Sequence, residues 1–201
     1  MTAVRREPLI IVLSAPSGSG KTTIVARLID SLMHITRSIS YTTREPREGE
    51  KAGVDYVFVS REEFDGMKNN GEFLEWEENF GNYYGTGRKQ VEDMLASGLD
   101  VIMSIDVKGA RTAKKEYPES ISVFVMPPSL EELENRLRRR KTDAESQVAI
   151  RLRESKQEVA ASDEYDFLVV NNKLDEAVEE VKQVIEKERE NRKKINKKAG
   201  Q

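Results

Sequence analysis

The chain reads Ser14-Ala15-Pro16-Ser17-Gly18-Ser19-Gly20-Lys21-Thr22-Thr23 directly after a short apolar run, residues 9–13. An unbroken apolar run of this length, rich in β-branched residues, is typical of a strand buried on both faces of a parallel sheet. The residues that follow, 24–29, have the apolar spacing of a helix. The order of strand, glycine-rich turn and helix favours a phosphate-binding loop over an ordinary turn of an α/β protein.

The residue types of this loop fit the chemistry of phosphate binding. Gly18 and Gly20 allow the backbone to bend so that successive N–H groups point inward, and the positive end of the following helix adds to the socket. We expect Lys21 to contact the β- and γ-phosphates of a nucleoside triphosphate and the Thr22 hydroxyl to bind Mg²⁺. The pattern usually opens with glycine, and this chain has Ala15 there. The departure is small, because a methyl group need not face the phosphates.

Length and composition limit the classes of function. The 201 residues suffice for one large domain or for one domain with inserted lobes. A net charge of −3 argues against a general nucleic-acid binder, so no stable nucleic-acid partner is expected. The lack of cysteine and the single histidine exclude disulfides, thiolate metal sites and multi-histidine metal sites. No apolar stretch approaches about 18 residues and no signal-peptide pattern is present, so we expect a cytoplasmic protein without a membrane partner.

Three further apolar runs, at 101–105, 121–126 and 167–170, alternate with helical segments. Strands that alternate with helices predict an α/β fold, here a P-loop NTPase-type parallel sheet with helices on both faces. We predict a single domain over residues 1–201, with a core at about 4–35, 89–135 and 156–190. The charged segment at about 187–201 is expected to be a solvated helix end that frays.

Two segments interrupt this alternation and are predicted to be insertions into the core, at about residues 36–88 and 136–155. The first contains four donors that suit a phosphate group: Arg44, Arg47, Tyr56 and Tyr84. Arginine forks match phosphate oxygens in pairs and tyrosine hydroxyls add neutral donors, although core packing is an alternative role for the tyrosines. The second segment is rich in arginine. The first insertion is therefore expected to bind a phosphorylated acceptor.

The first insertion also contains candidates for base recognition. Glu75 stands beside Trp76, so its carboxylate is expected in partly apolar surroundings. Guanine presents N1–H and N2–H₂ side by side, which suits one carboxylate, whereas adenine presents an acceptor at N1. The hydroxyls of Ser40 and Thr86 are expected to reach O6 and N7 of the base. These residues favour a guanine nucleotide as the acceptor.

A series of blocks, in the same order along the chain, resembles the guanylate kinase family. The blocks are residues 15–22, 40–50, 53–59, 72–76, 81–86, 105–110 and 169–172. The resemblance covers about residues 9–185. It implies transfer of the γ-phosphoryl group of ATP to GMP, giving ADP and GDP, with Mg²⁺ as cofactor, in purine nucleotide metabolism. It also implies a core, a GMP-binding lobe at about 36–88 and a small, mobile helical lid at about 136–155.

The resemblance also assigns roles by position. It implies an ATP site made of Ala15, Pro16, Ser17, Gly18, Ser19, Gly20, Lys21, Thr22, Thr23 and Asn171, with Thr22 on the metal. It implies a GMP site made of Ser40, Arg44, Arg47, Tyr56, Glu75, Tyr84, Thr86, Ser104 and Asp106. The catalytic residues that it implies are Lys21, Arg44 and the lid arginines Arg140 and Arg151. The family usually has acidic residues at positions 104 and 172, where this chain has Ser104 and Asn172.

Two other functions stay open at this stage. A kinase of the same fold that acts on another monophosphate is disfavoured by Glu75 and by the pair Tyr83-Tyr84. Guanylate-kinase-like folds also serve as non-catalytic interaction modules, but such modules tend to lose the phosphate loop, which this chain keeps. The sequence leaves self-association into a homo-oligomer open.

Overall fold

The structure is a computed structural model that describes residues 7–79, 81–139 and 145–199. Its strands are β1 (Ile10–Ser14), β2 (Ile35–Arg37), β3 (Tyr41–Thr42), β4 (Val57–Phe58), β5 (Phe73–Asn79), β6 (Asn82–Gly87), β7 (Asp100–Ser104), β8 (Ile121–Met126) and β9 (Phe167–Val170). Its helices are α1 (Lys21–Ser31), α2 (Arg61–Asn69), α3 (Arg88–Ala96), α4 (Val107–Glu116), α5 (Leu130–Arg139), α6 (Glu145–Ala160) and α7 (Leu174–Ala199).

Within these residues the larger sheet is parallel and has the strand order β2-β7-β1-β8-β9. β1 lies at its centre, where Ile11 is in register with Ile102 of β7 and Ile121 of β8. Every residue of β1 is buried, because α1 and α7 cover one face of the sheet and α3 and α4 cover the other. The predicted fold class is confirmed.

A second sheet, with the strand order β4-β3-β6-β5, lies within the predicted insertion at 36–88. β5 and β6 form an antiparallel hairpin that places Glu75 opposite Thr86. The preceding helix, α2, begins at a capping box. Ser60 Oγ accepts the N–H of Glu63, and the Glu63 carboxylate accepts the N–H of Ser60. The cap and the hairpin together fix the lobe that carries the acceptor residues.

Aromatic side chains hold this lobe together. The ring of Phe64 on α2 stacks on Phe73 of β5, with 4.3 Å between centroids, and on Tyr83 of β6, with 5.3 Å. Trp76 of β5 lies at the edge of this group and is 37% exposed, with the Lys68 ammonium 3.7 Å from its ring centroid. The lobe therefore has an aromatic core of its own, separate from the aliphatic core around the larger sheet.

α5 and α6 contain the predicted lid. α5 begins as expected, because Ser129 Oγ accepts the N–H of Glu132 at 3.0 Å. Leu133 and Leu137 on α5 are buried and pack with Leu152 of α6. Arg140 and residues 141–144 lie outside the described residues. The division of the chain into core, lobe and lid stays a prediction.

The charged C-terminal segment continues α7, which extends to Ala199. That its end is solvated and frays stays a prediction. Arg189 anchors this part of the helix: its Nε donates to Asp100 Oδ2 at 2.7 Å and its Nη2 to the Met33 carbonyl at 2.9 Å. Arg192 donates to two further backbone carbonyls. Like every other helix in the described part of the chain, α7 is too short or too polar to span a membrane.

Candidate active site

A cleft of about 330 Å³ lies between the carboxyl ends of β1 and β7 and the second sheet. This is the edge at which parallel α/β sheets usually bind ligands. The cleft brings together most of the predicted site residues, namely Ala15, Pro16, Ser17, Gly18, Gly20, Lys21, Thr22, Thr23, Ser40, Arg44, Arg47, Tyr56, Glu75, Tyr84, Ser104, Asp106 and Arg151. Glu158 of α6 also lines it.

Buried side chains brace the loop between β1 and α1 from beneath. Gly18 and Gly20 adopt left-handed φ angles of 95° and 89°, as their predicted roles require. The Asn171 amide donates to the Ser19 carbonyl at 2.7 Å, and a Cβ at Gly20 would lie 2.5 Å from the same amide nitrogen. Ser19 and Asn171 are buried and do not line the cleft. Asn171, predicted near the base of ATP, therefore contacts the loop backbone.

Lys21 begins α1 and points into the cleft. Its Nζ donates to the Ile105 carbonyl at 3.1 Å. Burial lowers the pKa of Lys21, and the negative charges of Glu158, Asp106 and Glu75 oppose that shift. The ammonium thus stands among acidic side chains, at the position where the loop is expected to receive phosphates.

Glu158 is a cleft residue that the sequence analysis missed. Burial raises its pKa to about 7, while the Lys21 charge and a hydrogen bond from the Ser17 N–H lower it. Its carboxylate therefore occupies the mouth of the phosphate loop. The sequence does contain one indication of this position. Glu158 follows Arg151 by two helical turns, so both residues lie on the same face of α6.

The predicted phosphate clamp of the lobe is organised by a second missed carboxylate, Glu50. Arg44 Nη2 donates to both Glu50 oxygens, at 2.8 and 2.9 Å, and the Arg47 N–H donates to Glu50 Oε2 at 2.8 Å. The Arg44 guanidinium also lies 5.4 Å from the Tyr56 ring centroid. Arg44 and Tyr84 are in hydrogen-bonding contact. The clamp residues thus form one group, joined by hydrogen bonds and ring contacts, on the lobe side of the cleft.

Glu75 is the buried acid of the lobe, with 6% exposure. Its Oε1 accepts the Thr86 hydroxyl at 2.5 Å, and Thr86 itself is fully buried behind it. Burial raises the pKa of Glu75 to about 7, with further upward shifts from Asp106 and Glu77 and downward ones from Thr86. The expectation of partly apolar surroundings understated the burial of this carboxyl group.

The end of β7 closes the cleft floor. Ser104 is half-buried there, and Asp106 caps α4 by accepting the Gly109 N–H at 2.8 Å. No group of three or more acidic or histidine side chains suited to a metal occurs among residues 7–79, 81–139 and 145–199. In phosphate sites, Mg²⁺ usually keeps several waters and takes further ligands from the substrate phosphates. The exposed Thr22 hydroxyl offers the hard oxygen donor that this arrangement needs.

Comparisons with known proteins agree on one family. The family model described as guanylate kinase matches residues 7–188. The guanylate kinase of Geobacter metallireducens is 43% identical over 186 residues, which is 92% of each chain. That of Carboxydothermus hydrogenoformans is 46% identical over 188 residues, 94% of this chain and 92% of the relative. The crystal structure of guanylate kinase from Anaplasma phagocytophilum superposes with a TM-score of 0.76 at 36% identity, covering 92% of this chain and 87% of that one.

Proposed function

This chain belongs to the guanylate kinase family and is an ATP:GMP phosphotransferase, and we propose that the cleft between its two sheets is where the γ-phosphoryl group passes to GMP, giving ADP and GDP. The observation that carries this proposal is that one cleft contains both the phosphate loop with Lys21 and the clamp of Arg44, Arg47, Tyr56 and Tyr84. Two phosphate-binding groups that face each other suit a reaction between two nucleotides. We place the reaction in purine nucleotide metabolism in the cytoplasm.

The loop side of the cleft is proposed to bind ATP. Backbone N–H groups of residues 17–22, at the positive end of α1, would surround the β-phosphate. Lys21 would exchange the Ile105 carbonyl for phosphate oxygens, which are stronger partners because they are charged. Mg²⁺, when bound, would neutralise charge on the β- and γ-phosphates, with Thr22 as its protein ligand.

The lobe side is proposed to bind GMP. Arg44, Arg47, Tyr56 and Tyr84 would contact its phosphate, with Glu50 holding both arginines in place. Glu75 would accept the N1–H and N2–H₂ groups of guanine, while Ser40, Ser104 and Asp106 would complete the base pocket. Thr86, buried behind Glu75, would act on the base only through that carboxylate. Asn171 would act on ATP indirectly, through the loop that it supports.

The transfer step is proposed to depend on alignment and charge. Phosphoryl transfer needs little covalent help from a protein, and it is accelerated by in-line placement and by cations around the transferred group. Arg44 and Arg151 approach the cleft from opposite sides, and Arg140 is proposed to join them. Closure of α5 and α6 over the nucleotides would exclude water, which competes with GMP for the phosphoryl group.

The test is ADP production from ATP with GMP, AMP, CMP or UMP, measured for the wild type and for Lys21→Ala. We expect turnover with GMP above all, and a fall in kcat of about 100-fold or more in the variant, since Lys21 acts on charge that develops during transfer. The Lys21 ammonium donates to a backbone carbonyl, that of Ile105, so Tm should stay close to the wild-type value. A folded variant with near-normal kcat would contradict the proposed site.

A further inference from the structure

The first turn of α4 contains a glycine whose backbone conformation does not require one. Gly109 has no left-handed φ, and alanine favours a helix over glycine. A Cβ built at this position would lie 2.6 Å from Glu75 Oε2 and 3.2 Å from Glu75 Cδ. Real Cβ atoms do not approach so closely, so a side chain at 109 would force the carboxylate of Glu75 to move.

The carboxylate cannot move without losing a contact. Glu75 is buried, its Oε1 is held by the Thr86 hydroxyl at 2.5 Å, and the two residues are opposite each other in the β5–β6 hairpin. α4 is equally fixed, because the Gly109 N–H donates to the capping carboxylate of Asp106 at 2.8 Å. The carboxylate of Glu75 therefore lies between Thr86 on one side and the Cα atom of Gly109 on the other.

We infer that Gly109 is a positioning residue for guanine selection: the missing Cβ sets the place of the Glu75 carboxylate, and through it the preference for guanine over adenine. The inference rests on the proposed role of Glu75 in reading the base. Gly109 does not touch the nucleotide in this scheme. Gly109 acts only by setting the position of Glu75. A variant that lacks the Glu75 carboxylate can therefore distinguish this role from a general effect on α4.

The test compares Gly109→Ala with Gly66→Ala. Gly66 also lies within a helix, α2, but a Cβ there meets nothing within 4 Å. We expect Gly109→Ala to raise KM for GMP about tenfold or more and to lower the GMP:AMP ratio of kcat/KM, because a displaced carboxylate no longer matches two adjacent donors. KM for ATP should stay unchanged, and Gly66→Ala should match the wild type in all three quantities.

The Glu75→Ala variant distinguishes a positioning role of Gly109 from a general structural defect. In Glu75→Ala the carboxylate is gone, so adding Gly109→Ala should cause no further change in KM for GMP. A crystal structure of unliganded Gly109→Ala tests the inference without an activity measurement, and we expect it to show the Glu75 carboxylate shifted away from residue 109.

Three results would overturn the inference: a wild-type KM and GMP:AMP ratio in Gly109→Ala, an equal loss in the Glu75→Ala background, or an unmoved carboxylate. Failure of the proposed function is a different result, because the wild type would then not phosphorylate GMP at all.

Discussion

Glu75 links base recognition to pH through one buried carboxyl group. Its pKa of about 7 lies above the usual 4.5 because the side chain is removed from water. At pH 8 the group is mostly ionised and offers acceptors to both guanine donors. At pH 6 it is mostly protonated, and an acid has fewer acceptors for two N–H groups.

We therefore expect GMP to bind more weakly as the pH falls from 8 to 6, and to release a proton from Glu75 when it binds near pH 7. Calorimetric titration in buffers of different ionisation enthalpy measures both quantities. The GMP phosphate titrates in the same range, so Glu75→Gln is the control. This variant should keep the pH dependence that comes from the phosphate and lose the part that comes from Glu75. Equal pH profiles for the two proteins would contradict the role of Glu75.

Single residues differ in how far the sequence could predict them. Lys21 and Thr22 were predictable because their role follows from a local pattern whose spacing is set by the loop itself. Glu158 and Gly109 were not, because each acts on a side chain brought near only by folding. Glu50 was missed although its partners Arg44 and Arg47 lie in the same loop. The position of Asn171 beneath the loop was likewise hidden, since its partner Ser19 lies on a different strand connection.

At the scale of elements, one ion pair joins α7 to β7 of the larger sheet and another joins α7 to α1. Arg189 and Asp100 form a pair that is almost fully buried, with side-chain exposures of 14% and 0%. Arg27 and Asp175 form the other, with exposures of 54% and 85%. Exposed pairs contribute little to stability, whereas removing one member of a buried pair leaves a charge without compensation.

We expect Arg189→Ala to lower the free energy of unfolding by about 3–5 kcal/mol. Arg27→Ala, the matched change at the exposed pair, should cost about 0–1 kcal/mol. Urea unfolding of both variants measures the difference, and kcat of the folded fraction should be unaffected in each. Similar costs for the two variants would show that the burial of Asp100 does not strengthen this attachment.

Most elements could be predicted and the exceptions share a cause. The buried strands β1, β7 and β8, the edge strand β9 and the capped helix α2 carry local signals, namely unbroken apolar runs and a capping box. The two-residue strands β3 and β4 are too short for any periodicity to show. The anchoring of α7 by Arg189 could not be predicted, because the partners of Arg189 lie far away along the chain.

At the scale of the whole molecule, Glu158 of α6 connects the lid region to the phosphate loop. The Glu158 carboxylate accepts the Ser17 N–H and faces Lys21. These are the groups that are proposed to receive the phosphates of ATP. An incoming triphosphate must therefore displace or neutralise a negative charge before it can occupy the loop.

We expect Glu158→Gln to tighten ATP binding about three- to tenfold at pH 8, because a charge that opposes the phosphates is removed while an acceptor for Ser17 stays. The matched control is Glu154→Gln, one helical turn earlier on α6 and outside the cleft lining. Equilibrium titration with ATP measures the effect, and GMP affinity should change little. Weaker ATP binding in Glu158→Gln would show instead that the carboxylate orients Lys21 for the nucleotide.

Trp76 is a fluorescence reporter in the lobe that is proposed to bind GMP. It is the one tryptophan of the sequence, it neighbours Glu75 on β5, and the Lys68 ammonium lies over its indole ring. Indole emission depends on nearby charge and on access of water, so a rearrangement of the lobe around guanine alters the fluorescence of this residue. The core around the larger sheet contributes no tryptophan signal, and each nucleotide can therefore be titrated separately while the lobe alone is observed.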